Sequence, residues 1–485
     1  MSTATTDYGM VVAGKWVESE AGGRMEASSP ATGERIGSVP EGTREDAQRA
    51  ISAASAAWRE WAARSPFERG AALERVAELI VERRDDLART LTLDQGKPLH
   101  AEAYGEVDEL VEYWRMAAAD APRLEGSMPP SADASKRVLA YRVPRGVVGV
   151  ITPWNWPYTM PSELLAPALA AGNAVVWTPA SSTVVCSVKL AECIVDAELP
   201  AGVFSMVTGP GSVVGDEIAG SPGTQAVAFI GSIETGSKVA ARGAGKPLLL
   251  ELGGNGPMVV LDDADVRASA DASITAAFLC AGQSCTAGER FLVHEAVHDE
   301  FVERLREAVE RDVRLGDPFA EETTMGPLNN ESTAEKMDQH VRDALERGAE
   351  TVVGGRRASG FPTPLYWEAT VLDRVTDEMD VAREETFGPV APISIIHSDE
   401  EALQIANSSP YGLLVAVWTC DLARGLRFAE AVRAGWVNVN ESTNYWESHL
   451  PFGGRAGAQS GVGRVGGRHA METFTEPKTV VFGLS

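Results

Sequence analysis

At 485 residues the chain is too long for one small domain, and two or three core-forming units are expected. Hydrophobic content of 44% with 23% charged residues is ordinary for a soluble globular protein, and a formal net charge of −26 argues against nucleic acid and anionic membrane surfaces, which need a basic footprint. Five cysteines without a pairing pattern (Cys186, Cys193, Cys280, Cys285 and Cys420) fit free thiols in a reducing compartment. The start, Met1 to Tyr8, has no basic region followed by an apolar core, so no secretory signal is expected. No run approaches the roughly 20 apolar residues that span a bilayer. A cytoplasmic location is expected. The seven histidines show no metal-ligand spacing, and no metal is implied.

From Thr43 to about Ala118 the pattern is helical, with Ala50, Ile51, Ala54 and Trp58, then Leu73, Val76, Leu79 and Ile80, at helix spacing. A polar stretch from Gly126 to Lys136 leads into a strand over Arg137–Val143. From Gly146 the grammar changes. Strands are predicted at Gly146–Thr152, Ala174–Trp177, Val203–Val207, Ala226–Ile230 and Pro247–Glu251. Helices are predicted at Met160–Ala171 and Val184–Leu199. This alternation predicts an open parallel α/β sheet, whose ligands lie beyond the carboxyl ends of the strands. The residues there are Pro153-Trp154-Asn155-Trp156-Pro157, Thr178-Pro179-Ala180-Ser181, Thr208-Gly209-Pro210-Gly211 and Gly231-Ser232-Ile233-Glu234-Thr235-Gly236. Glycine and hydroxyl residues opening a helix suit a pyrophosphate, and they are also common turn formers. The usual strand-linked G-x-G-x-x-G is absent.

Cys285 closes the run Phe278-Leu279-Cys280-Ala281-Gly282-Gln283-Ser284-Cys285, and Glu251-Leu252-Gly253-Gly254-Asn255 begins 34 positions upstream (285 − 251). A thiol among small residues can sit on an open turn, and a distant carboxylate in another glycine-rich turn can serve as its proton acceptor. Alone, either residue is more often plain packing or surface.

Taken together, these segments resemble the aldehyde dehydrogenase superfamily nearly end to end. The resemblance is carried by Ile151-Thr152-Pro153-Trp154-Asn155-Trp156-Pro157, Phe229-Ile230-Gly231-Ser232 with Gly236, Glu251-Leu252-Gly253-Gly254-Asn255 and Gly282-Gln283-Ser284-Cys285. Glu384-Glu385-Thr386-Phe387-Gly388-Pro389-Val390 and Pro451-Phe452-Gly453-Gly454 extend it. Pro30 to Glu34 and Thr473 to Val480 are similar too. The resemblance implies an α/β protein with a Rossmann-like cofactor domain (1–125 and 145–250), an α/β catalytic domain (251–457), and a small bridging β-sheet (126–144 and 473–485). Through that sheet a homodimer or homotetramer would assemble.

The resemblance also implies roles. Cys285 would attack an aldehyde as thiolate, Asn155 and the Cys285 N–H would meet the oxyanion, and Glu251 would be the base that hydrolyses the thioester. Ile151, Thr152, Pro153, Trp154, Thr178, Ser181, Gly211, Gly215, Phe229, Gly231, Ser232 and Leu252 would line the dinucleotide. Glu385 would hold the nicotinamide ribose, with Phe387 packing beside it. Trp156, Tyr158, Glu163 and Trp446 (within Asn444 to His449) would wall the substrate tunnel. Aromatic walls favour a neutral aliphatic or aromatic aldehyde. Aromatic faces with Glu163 would instead hold a cationic aminoaldehyde.

Three departures stand out. Thr178 replaces a lysine that holds the adenosine ribose in the family, and Ser181 replaces a glutamate that excludes a 2′-phosphate. NAD is the expected cofactor, with NADP the alternative. Cys280 stands where asparagine is usual, and is either packing or a disulfide partner for Cys285. Arg455 to Gln459 makes a loop two residues longer than the family pattern. Rival readings are an acylating enzyme, which would lack the base at Glu251; a cysteine hydrolase without nicotinamide; and a non-catalytic structural or binding protein.

Overall fold

The computed structural model describes residues 6–484; residues 1–5 of the N-terminal stretch read above, and Ser485, lie outside it. The helical region begins with well-specified ends. Thr43 and Ser65 each accept from the backbone three residues on, and Asp46 and Glu68 reach back in return, starting helices Arg44–Ala63 and Pro66–Glu82. Pro66 occupies a first-turn position where its missing N–H costs nothing. Helices Arg84–Asp94 and Tyr104–Asp120 complete the region, the latter entered through a π-turn, Leu99–Ala103.

The predicted strands assemble into one sheet, in the spatial order Gly461–Val462, Leu248–Leu252, Ala226–Gly231, Val147–Ile151, Ala174–Thr178, Phe204–Met206, Met10–Val12, Lys15–Val17. Neighbours from Leu248–Leu252 to Phe204–Met206 run parallel. Numbered along the chain from Val147–Ile151, these central strands lie in the order 5-4-1-2-3. The order reverses between Val147–Ile151 and Ala226–Gly231, which is the switch point where doubly wound sheets bind ligands. Val147–Ile151 and Ala174–Thr178 are buried at every position, as sheets covered on both faces require.

A second sheet has the order Glu350–Val353, Thr370–Asp373, Val390–Ile396, Arg290–His294, Pro257–Val260, Leu414–Trp418, Trp436–Val439, parallel except at Glu350–Val353. Lys136–Pro144 and Thr475–Gly483 pair antiparallel along their full lengths as a separate ribbon. Both run further than the sequence predicts, because the ribbon is largely exposed and carries little apolar signal. Tyr141, Val481 and Phe482 are exposed on it. A three-stranded sheet of Thr6–Asp7, Arg35–Pro40 and Arg24–Ser28 completes the fold. The strands before Thr43 and Gly461–Val462 were not predicted, since two- or three-residue strands show no periodicity.

Asn173 ties these parts together. Its Oδ1 accepts from the Gly146 N–H at 3.0 Å, and its Nδ2 donates to the carbonyls of Ala168 (3.0 Å) and Phe474 (3.1 Å). One buried side chain thus joins the start of the central strand to the beginning of the ribbon. Asn173→Ala is expected to cost about 1–3 kcal/mol through the buried groups it orphans, measured by urea unfolding; an unchanged midpoint would refute this.

Candidate active site

The two main sheets face the site with opposite ends. From the first come residues at the carboxyl ends of strands: Pro153, Trp154 and Asn155 after Val147–Ile151, Ser232 after Ala226–Gly231, and Glu251 within Leu248–Leu252. From the second come loops that enter strands: Gly253–Gly256 before Pro257–Val260, the Cys285 loop before Arg290–His294, and Glu384–Pro389 before Val390–Ile396. The carboxyl-end rule therefore locates half of the site. The other half lies at the amino ends.

After helix Val266–Phe278 the chain passes through Cys280 (φ 54°), Ala281 (φ 52°) and Gly282 (φ 71°), consecutive residues in the left-handed region. The turn is held by dense hydrogen bonding. Gln283 donates to the Cys280 carbonyl from its N–H (3.1 Å) and from Nε2 (2.8 Å), while its Oε1 accepts from the Asn329 N–H at 2.9 Å. The Cys280 N–H donates to the Glu102 carboxylate. Asn155 Nδ2 donates to the Gln283 carbonyl at 3.0 Å, which fixes the amide and leaves its second N–H for the cavity. Among the described residues the Cys285 N–H has no hydrogen-bond partner.

Cys285, Asn155 and Glu251 line one cavity of about 230 Å³ together with Pro153, Trp154, Gly231, Ser232, Glu385 and Phe387. Glu251 is buried, and among the described residues its Oε1 has no hydrogen-bond partner. Burial, then the charge of Glu163, pushes its carboxyl well above the usual range, against an opposing interaction with the Cys285 thiol. Burial and then the Glu251 carboxylate likewise push the Cys285 thiol up. Glu385 accepts from the Gly254 N–H at 2.8 Å, and burial raises it to about 7. Phe387 has φ 60° and meets Trp154 edge-on with ring centroids 5.6 Å apart. Its N–H and that of Thr386 both donate to the Glu289 carboxylate, at 2.8 and 2.6 Å. Burial raises Glu289 to about 8. Glu289 and Lys336, which also lines the cavity, were not singled out from sequence; neither lies at a strand end or stands out in composition.

A separate cavity of about 380 Å³ is lined by Ile151, Gly211, Gly215, Thr235 and Lys238 among others. Beside it, Thr178 Cγ2 and Ile151 Cδ1 lie 3.7 and 3.6 Å from where a Cβ on Gly215 would stand. Among the described residues Thr178 Oγ1, which is buried, has no hydrogen-bond partner, an orphaned hydroxyl beside this space that a ribose hydroxyl would satisfy. Other expected cofactor residues sit behind the walls. Thr152 Oγ1 accepts from the Trp177 indole at 2.9 Å, Leu252 packs against Gly236, and the Phe229 ring underlies Gly231. Ser181 is exposed and donates to the Gly209 carbonyl at 3.5 Å.

The opposite side of Cys285 opens on a third cavity, about 220 Å³, which Trp156 and Trp446 line as expected. Tyr158 and Glu163 line none of these three cavities. Tyr158 is fully buried, its hydroxyl donating to the Leu87 carbonyl at 3.0 Å, and Glu163 accepts from the Tyr113 hydroxyl. Helix Thr159–Ala170 is buried at every position, so its sequence carries no signal of which face meets a cavity. The charged residues present instead are Lys97, Glu102, Glu106 and Glu109, from the helical N-terminal region. Cys280 is a free thiol, turned toward Gln95 Nε2 (3.4 Å) and the Asn155 carbonyl (3.6 Å). The longer loop closes on Pro410 and Gly412 through the N–H groups of Gln459 and Arg455.

The sequence model of the Aldehyde dehydrogenase family matches residues 16–480. The chain belongs to the aldehyde dehydrogenase family. It is 38% identical over 472 residues to 3-sulfolactaldehyde dehydrogenase of Pseudomonas putida, covering 97% of this chain and 96% of the relative. It is 37% identical to the NADP-linked succinate-semialdehyde dehydrogenase of Escherichia coli (strain K12), covering 98% and 97%. The crystal structure of an NAD-dependent aldehyde dehydrogenase from Sinorhizobium meliloti superposes with a TM-score of 0.95 at 36% identity, covering all of this chain and 96% of that one.

In this aldehyde dehydrogenase, Glu289 positions the 385–387 loop through two backbone bonds. Glu289→Ala is expected to destabilise the fold by about 1–3 kcal/mol and to weaken dinucleotide binding several-fold, with Glu289→Gln intermediate because it keeps one acceptor. Chemical unfolding and a dinucleotide fluorescence titration measure the two effects, and unchanged binding in Glu289→Ala would refute the positioning role.

Proposed function

We propose that the protein oxidises an aldehyde to the carboxylic acid through a covalent adduct on Cys285, with NAD as the cofactor. The observation that carries this reading is the meeting of Cys285, the Asn155 amide and the Glu251 carboxyl at one cavity that Glu385 and Phe387 also line. The thiol loses its proton to the adjoining Glu251 carboxylate, and the sulfur adds to the carbonyl carbon. The oxyanion that forms is met by the free Asn155 N–H and the unpaired Cys285 N–H. The dinucleotide, when bound, supplies the acceptor for the hydride that leaves the adduct carbon.

What remains on Cys285 is a thioester. Glu251 gives the thiol's proton up to solvent and then takes a proton from the water that attacks the thioester; as the acid forms, that proton passes to the departing thiolate and the thiol is restored. The raised Glu251 carboxyl suits this task, because a stronger base removes the water proton more readily. Its presence also disfavours transfer of the acyl group to another thiol. Ile151, Gly211, Gly215 and Thr178 would take the adenosine end, and Glu385 the nicotinamide ribose. Lys238 and Arg242, the cations lining the cavity of about 380 Å³, each have an acidic neighbour, Glu234 and Asp216, which offsets part of their attraction for a 2′-phosphate. This supports NAD over NADP.

Aldehydes mixed with enzyme and either NAD or NADP should give the absorbance of reduced cofactor, faster with NAD. No signal with either cofactor on any aldehyde would overturn the reading. Glu251→Gln should keep a stoichiometric burst while steady turnover falls about 10²–10⁴-fold; undiminished turnover would remove Glu251 as the base. The pH dependence has a definite sign. A base whose carboxyl is raised stays protonated at low pH, so wild-type turnover should rise with pH through the neutral range, and the residual Glu251→Gln rate should not follow that rise.

A further inference from the structure

Resting on that reading, we infer that the substrate is an aldehyde bearing a cationic nitrogen, selected by the carboxylates of Glu109 and Glu102 on the wall opposite the dinucleotide side.

The argument is a balance of charge. Among the described residues Lys97 is the one cation lining this cavity, and it is consumed locally. It is 2% exposed, its Nζ lies 2.6 Å from Glu106 Oε2, and it sits 3.7 Å from the centroid of the Trp156 ring. Glu106 is engaged a second time, its Oε1 accepting from the Tyr158 N–H at 3.1 Å. That pair is neutral. Among the described residues the other two lining carboxylates, Glu102 and Glu109, have no cationic partner within ion-pair distance. Glu102 is steadied by the Cys280 N–H at 3.1 Å, and Glu109 has a 3.4 Å contact from the Tyr113 hydroxyl, whose shorter bond goes to Glu163.

Burial raises both carboxyls to about 7, Glu109 further through the nearby Glu106 charge and Glu102 against the opposing pull of Lys97. A cation brought beside either carboxyl favours its ionised form and offsets the desolvation that raises it. The Trp156 face already holds one ammonium, and Trp446 offers a second aromatic surface to an alkylammonium group. An anionic aldehyde would meet two carboxylates with no free cation. A neutral one would bury beside them and leave them unpaired.

The test compares two aldehydes of one shape, trimethylammonioacetaldehyde and its uncharged analogue 3,3-dimethylbutanal, with succinate semialdehyde as the anionic probe. Wild-type kcat/KM should favour the cation over its isostere by about ten-fold or more, the scale of one partly buried charge pair. Glu109→Gln should shrink that ratio mainly by raising KM for the cation, and Glu102→Gln should shrink it further in the double variant. Glu109→Lys should shift preference toward the semialdehyde. Because the readout is a ratio on one enzyme sample, loss of folded protein does not alter it. Equal or reversed preference in the wild type would overturn the inference while leaving aldehyde oxidation intact. A cationic preference that survives Glu109→Gln and the double variant would overturn the assigned residues. Turnover of no aldehyde at all would instead defeat the reading on which the inference rests.

Discussion

Everything at this site depends on how closely three backbone loops approach one another. A Cβ on Gly282 would lie 2.1 Å from the Gly388 carbonyl oxygen, and one on Gly254 would lie 2.3 Å from the Cys285 carbonyl oxygen. Loops from three different strands can converge on a single thiol only where no side chain intervenes. The approach is bought with strain, since Cys280, Ala281 and Phe387 are non-glycine residues held at positive φ. Gln283 and Glu289 hold that strain in place, Gln283 with two donors on the Cys280 carbonyl and Glu289 by accepting from the Thr386 and Phe387 N–H groups. The thiol is therefore presented by a rigid frame rather than by a free loop.

The electrostatics follow from the same packing. Glu251 and Glu385 line the cavity on one side of Cys285, with Glu289 behind the 385–387 loop, and Glu102 and Glu109 line the cavity on the other, all with carboxyls pushed up by desolvation. Each side contains one lysine, Lys336 with the first group and Lys97 with the second. Cys285 and Met160 are shared by both cavities, so the sulfur is reached from two sides. Glu251 lies on the first side, and Glu102 and Glu109 lie on the second.

Sequence reading succeeded where the chemistry is local. The run from Gly282 to Cys285 is a turn carrying a thiol, and the strand–helix alternation from Gly146 announces a parallel sheet because buried strands are continuous apolar runs. It failed where a contact spans the chain. Cys280 and Glu102 are 178 positions apart, and nothing along a helix marks which acids will face a distant turn. Tyr158 and Glu163 illustrate the converse. They lie close in sequence to Asn155 and Trp156, yet a fully buried helix turns them into the core.

The sequence by itself determined the family and the α/β class, because these rest on short motifs and on periodicity that neighbouring residues fix among themselves. Only the tertiary structure decided the order of strands, the use of opposite sheet ends and the acidic lining of the substrate side. Each of these depends on which remote segments share a surface. Burial also sets the titration of the carboxyls around Cys285, and burial is a property of the packed chain rather than of any residue in it.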